Sequence, residues 1–129
     1  IDFSPRGGGF SLGDRFIKLT TGLNIHDIYL NFFKSSSFSK FPKISYRYSL
    51  IYFIKFEKGV FQNIIFNTAL LSENDKYFSL IDRNSKMIDP TNDSHRIGYF
   101  ILSSNRKRDL NIKLNSLKQS IIINKISAI

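Results

Sequence analysis

Asp2, Ser4 and Arg6 alternate along the first residues of the chain and run directly into Gly7, Gly8 and Gly9. If residues 1–3 end a strand, side chains two apart project to the same side, so Asp2 and Ser4 present a carboxylate and a hydroxyl together, with the Arg6 guanidinium just beyond. That is an oxygen ligand pair for a divalent cation beside a planar fork for phosphoryl or acyl-phosphate oxygens, and glycine backbone can approach such a ligand closely. Spacing alone leaves a second reading open, a plain glycine turn with no ligand, which is the commoner use of such a run. On either reading 4–9 must leave regular structure, because three glycines admit positive φ and Pro5 lacks a donor.

Other chemistry is thinner. His95 follows Asp93 and Ser94, but adjacent residues do not converge on one reacting atom and no oxyanion site accompanies them, which argues against a hydrolase triad. His26 sits among apolar helix residues and reads as a partly exposed structural histidine rather than a base. Arg96 opens a strand, where it either reaches an anionic substrate or forms a surface turn. The Tyr46 to Phe56 aromatics either stack nucleobases on a sheet or belong to the core, the usual fate of such a stripe. With no cysteine and two histidines there is no thiolate nucleophile, no disulfide and no structural zinc centre, so a metal here would be a hard ion held by oxygens.

The run Ile-Asp-Phe-Ser-Pro-Arg-Gly-Gly-Gly resembles the strand-borne Glu-x-Asn-x-Arg pattern leading into glycines of ATP-grasp enzymes, in the form seen in amino-acid ligases and carbamoyl-phosphate-synthase-like proteins. The resemblance continues through Thr21-Gly22-Leu23-Asn24 between two helices, Tyr52-Phe53-Ile54 to Lys58-Gly59, and Asp93 to Tyr99 ahead of a basic amphipathic helix. It implies the C-terminal portion of an ATP-dependent carboxylate–amine ligase. Position by position, it places Asp2 as the bridging metal carboxylate and Ser4 as the second metal ligand. Arg6 becomes the catalytic arginine on the transferring phosphoryl group, with Gly7 and Gly8 beside it against the phosphates. Asp for Glu shortens the reach by one methylene, and Ser for Asn replaces an amide oxygen by a weaker neutral ligand. ATP and Mg²⁺ are the implied cofactors, and small-molecule carboxylates and amines the implied substrates. A missing N-terminal part of the same fold would supply the adenine pocket, the phosphate-gripping lysines and an earlier metal carboxylate. A glycine-rich motif opening the chain fits that expectation, and the chain alone is expected neither to hydrolyse ATP nor to bind it tightly.

The elements that would carry these residues follow from periodicity. Leu12, Phe16, Leu19 and Leu23 form one helical stripe, with Gly22 as its stop signal. Asn24 caps a second helix, in which Ile25, Ile28, Tyr29 and Phe32 recur at helical spacing. A serine-rich linker over 34–43 precedes a strand in which Tyr46, Tyr48, Leu50, Tyr52, Ile54 and Phe56 share one face. Glu57-Lys58-Gly59 then reads as a hairpin connection into a return strand over 60–66. Within 67–93 the pattern is weaker: a strand over 77–81 and a turn over 83–86. A core strand over 97–102 leads to a helix capped by Ser104 or Asn105, with Leu110, Leu114, Leu117 and Ile121 as its stripe and a final edge strand over 121–126. The expected class is α+β, an antiparallel sheet with packed helices. One domain is expected over 1–129, with 1–34 closing the nucleotide and metal site and 44–129 forming the sheet and C-terminal helix.

Composition agrees with a folded, soluble unit. Of 129 residues 42% are hydrophobic and 15% aromatic, too apolar for a disordered chain. No apolar run approaches the roughly 18 to 20 residues that span a bilayer, and no secretory signal is legible, so the cytoplasm is the expected compartment. A net charge of +9 supports one alternative, a small basic α+β binding module for RNA or another acidic partner. The cations are scattered, however, and the densest run, Arg106, Lys107 and Arg108, opens a helix whose solvated face accounts for it. Nucleic-acid binding is therefore the lesser reading.

Overall fold

The computed structural model describes residues 15–35, 43–55, 59–87 and 96–126. Along the chain these form α1 (Ile17–Thr21), α2 (Ile25–Ser35), β1 (Tyr48–Ile54), β2 (Gly59–Ile65), a single 3₁₀ turn (Thr68–Leu70), β3 (Lys76–Ser79), β4 (Lys86–Met87), β5 (Gly98–Ser104), α3 (Lys107–Ser120) and β6 (Ile122–Ile126). The α+β class with antiparallel strands and packed helices is the one expected. The strands build two three-stranded sheets, ordered β1-β5-β3 and β4-β2-β6.

That division overturns the expected hairpin. β1 pairs antiparallel with β5, Tyr48 opposite Ser104 through Ile54 opposite Gly98, while β2 pairs with β4 and β6 in the other sheet. Residues 56–58 lie outside those described, but the strands they link are not partners. The physical reason lies in β5, which is buried on both faces along all but its last residue and therefore takes the middle of a sheet, between β1 and β3. β2 buries Gly59 and Phe61 and exposes Asn63 and Ile65, which suits a sheet with one wet face. Gly59 has φ +151° rather than a left-handed turn value, and a side chain there would press on the Ile126 carbonyl.

The core forms where α3 covers the β1-β5-β3 sheet. Phe100, Leu102 and Ile54 face Leu110 and Leu117 of α3, and Phe61 joins from the second sheet. Phe66, Tyr77 and Phe100 meet at ring separations of 4.9 to 5.2 Å. Gly98 is required there for space: a Cβ would lie 2.6 Å from the Phe78 carbonyl oxygen and 2.9 Å from the Tyr77 ring. The α3 stripe runs as its sequence spacing predicts, and β6 follows as an edge strand on β2. Its cap differs from expectation. Ser104 still belongs to β5, so Arg106 takes the cap position in extended backbone without a side-chain cap bond. Ser104 Oγ instead accepts from the Arg106 N–H at 3.4 Å.

At the other end, Gly22 stops α1 in the left-handed conformation (φ 74°) and its N–H donates to the Lys18 carbonyl. Asn24 Oδ1 accepts from the His26 N–H at 3.2 Å at the start of α2, as the capping signal predicts. Leu12, in the expected start of α1, lies outside the described residues, as does most of the 34–43 linker. Among the described residues no helix is long and apolar enough to cross a membrane.

Candidate functional site

The face of the β1-β5-β3 sheet turned away from α3 carries two cross-strand rows. Phe53, Tyr99 and Phe78 sit opposite one another on β1, β5 and β3, as do Ile51, Ile101 and Lys76 in the next row. The ring centroids of Tyr99 lie 5.7 Å from Phe53 and 4.9 Å from Phe78. Guanidinium groups close the aromatic row at both ends, Arg96 at 3.8 Å from the Phe53 ring and Arg15 at 4.4 Å from Phe78, within cation–π range. Arg96 thus sits on an aromatic ring. His26 is exposed.

α1 stands over this face because the chain returns beside it. The Ser45 and Arg47 N–H groups donate to the Thr21 and Thr20 carbonyls at 2.9 and 2.8 Å, satisfying the orphan C-terminal acceptors of a very short helix. Thr20 and Thr21 hydroxyls donate back to the Phe16 and Ile17 carbonyls. The segment 43–47 is thereby held along α1 and passes straight into β1. Between α1 and the sheet lies a cleft of about 790 Å³, within the range of small-molecule sites. Leu19, Phe78 and Ile101 give it apolar walls, Arg15, Lys18, Arg47 and Lys76 bring four cations, and Glu73 brings one carboxylate. Among the described residues no carboxylate pairs with Lys18, Arg47 or Lys76.

The rim carrying Glu73 and Asn74 is fixed by the next residue. The Asp75 carboxylate, 0% exposed, accepts from Lys113 Nζ at 2.5 Å, from Ser72 N and Oγ at 2.8 and 2.7 Å, and from the Ser103 N–H at 2.8 Å. Lys113 Nζ also donates to the Ser103 carbonyl at 2.9 Å. Burial alone would raise the Asp75 pKa, but the Lys113 ammonium and the Ser72 and Ser103 donors outweigh it and hold the carboxyl below its ordinary value. One carboxylate so ties the 72–75 turn to β5 and α3. On the cleft-side face, Ser49 and Ser103 stand opposite each other, and their hydroxyls are buried with no hydrogen-bond partner among the described residues.

Asp2, Ser4, Arg6, Gly7 and Gly8, the residues the sequence singles out for metal and phosphate, lie outside the described residues, as do Asp93, Ser94 and His95. Among the described residues no group of three or more His, Cys, Asp or Glu side chains could hold a metal ion. The cleft cations are ones the sequence reading counted only as scattered charge. A usable signal was strand phase: Arg47 alternates with Ser49 and Ile51, and Lys76 with Phe78, which puts both cations on the face that bears the aromatic row. The α3 cations are also not all solvated. Lys113 is the partner of Asp75, whereas Lys118 stays exposed with its Nζ 5.1 Å from the Tyr52 ring.

Compared with solved structures, the chain is similar to an L-amino acid ligase from Bacillus licheniformis, with a TM-score of 0.74 and 18% sequence identity over 93% of this chain and 31% of that one. The chain has the fold of part of an ATP-grasp ligase. It spans about a third of that ligase's length. Neither a family model nor a curated protein matches it, so the likeness is one of fold.

Proposed function

We propose that the chain is part of an ATP-dependent ligase that joins a carboxylate to an amine through an acyl phosphate. The observation that supports this is the likeness to an L-amino acid ligase over 93% of the chain, and the Asp2 to Gly9 run adds residues of the right chemistry. In this reading a carboxylate oxygen attacks the γ-phosphorus of ATP and ADP leaves; the amine nitrogen then attacks the acyl carbon and phosphate leaves. Arg6 would offset the charge that gathers on the phosphoryl oxygens, Asp2 and Ser4 would hold Mg²⁺, and the Gly7 and Gly8 backbone would lie against the phosphates. The substrates are a small-molecule carboxylate and amine, and the working compartment is the cytoplasm. The 129 residues act as one unit, 1–34 closing the nucleotide and metal site and 44–129 supporting it. The adenine pocket, the phosphate-gripping lysines and a further metal carboxylate come from the remainder of the ligase.

The test compares this chain alone with a longer protein that carries it behind a glycine-rich loop and spaced lysines. Amine-dependent ADP release is expected from the longer protein only, with Arg6→Ala lowering it by about 10²- to 10³-fold, as loss of one transition-state donor does. Saturable ATP turnover by the isolated chain would overturn the fragment reading. A longer protein that releases no ADP with any carboxylate and amine pair would overturn the ligase reading.

A further inference from the structure

We propose that the cleft between α1 and the β1-β5-β3 sheet is a binding site for a small organic anion, with phosphate or carboxylate oxygens on Lys18, Arg47 and Lys76 and an apolar or aromatic body against Phe78 and Ile101. Three observations carry it. The cleft has the volume of a ligand site and both apolar and polar walls. Its cations outnumber its carboxylates, and Lys18, Arg47 and Lys76 have no carboxylate partner among the described residues. Like charges gathered around one concave, apolar-floored space repel one another and focus their field into it, so an entering anion is attracted and relieves the repulsion. The third observation is that the walls are built rather than incidental. Arg47 is held by its backbone bond to the Thr20 carbonyl, Lys76 by its place in β3 opposite Ile101, and the rim beside it by the Asp75 bonds. Backbone structure thus brings cations from three separate elements to one cleft.

None of these residues belongs to the Asp2 to Gly9 run, so the inference stands apart from the ligase reading, and the ADP assay leaves it untouched. The site differs from a phosphate-only patch in its floor: Phe78 and Ile101 favour a ligand whose charged group is attached to a ring or an alkyl body. Arg47 offers a planar fork to two oxygens of one group, while Lys18 and Lys76 act as point charges on the rest.

The probes are phenyl phosphate, benzoate, inorganic phosphate and neutral phenol, titrated into the protein and followed by amide chemical shifts and by calorimetry. Phenyl phosphate or benzoate is expected to saturate, whichever is tighter fixing the anion class, with phenol and inorganic phosphate each at least tenfold weaker. The double substitution Arg47→Gln with Lys76→Gln is expected to weaken the preferred probe at least tenfold without moving the thermal midpoint. Arg108→Gln on exposed α3 should bind as the unaltered protein does. Equal binding by the double variant and the unaltered protein would overturn the proposal, as would an equal loss in Arg108→Gln or no saturation by either aromatic anion. Should the double variant fail to fold, Lys18→Gln alone, on the helix surface, carries the same test with an expected loss of about threefold to tenfold.

Discussion

Replacing Asp75 by asparagine keeps the side chain's outline and removes its charge. The carboxylate is fully buried and takes donors from Lys113, Ser72 and Ser103. Asparagine would turn an NH₂ group towards some of these donors and leave the Lys113 ammonium, 19% exposed, without its counter-charge. Removing one partner of a buried pair costs about 3 to 5 kcal/mol, and the partial exposure of Lys113 puts the expectation at about 3. In a chain of this size that lowers the thermal midpoint by about 12 °C. Lys113→Met should cost at least as much, because the fully buried carboxylate then has only the Ser72 and Ser103 donors to offset its desolvation. The sign of the pH effect follows from the lowered Asp75 pKa. The unfolded chain takes up the proton more readily than the folded one, so this contribution is complete above the ordinary value of 3.8. It is lost as pH falls through the lower folded-state value. Urea denaturation at about pH 7 and about pH 2.5 should therefore show the gap between native protein and Asp75→Asn narrowing on acidification. A loss below about 1 kcal/mol at neutral pH, the level of an exposed pair, would refute the reasoning. So would a gap that does not change with pH.

Gly98→Ala should destabilise by about 2 to 3 kcal/mol, since the new methyl overlaps the Phe78 carbonyl oxygen and the Tyr77 ring; an unchanged urea midpoint would mean that β3 gives way freely. Ser49→Ala combined with Ser103→Ala removes two buried hydroxyls that lack partners and should stabilise by about 1 kcal/mol. A loss of stability in that variant would show that the two hydroxyls bond each other or an ordered water.

Local signals proved legible where they act locally. Gly22 and Asn24 mark a helix stop and a helix start within three residues, and the structure has both. The stripe of Leu110, Leu114 and Leu117 faces the core because helical spacing alone decides a helix face. Pairing between strands is a different kind of question. Alternation shows which residues of β1 and β2 share a face, but not which strand lies beside them, and the short connection over 56–58 invites a hairpin that the demand of β5 for two neighbours overrides. The cleft was hidden for the same reason. Lys18, Arg47 and Lys76 are far apart in sequence, and only the pairing of β1 and β3 on either side of β5 brings their elements together. The Asp75–Lys113 pair was equally beyond local reading, since a lone carboxylate in a turn carries no mark of the lysine that will meet it.

The separation of β1 from β2 bears on how the chain comes to be folded at all. Tyr48 meets Ser104, and Val60 meets Ile126, so each sheet closes only through contacts between distant parts of the polypeptide. High contact order of this kind makes folding slow. On the ribosome β1 and β2 emerge before their partners and must wait, the first for β5 and the second for β6. A nascent chain stopped before Ile122 would leave β2 with only the two-residue β4 as a partner, an exposed edge of the sort that recruits neighbouring chains. The strand made later is thus what shields one made before it.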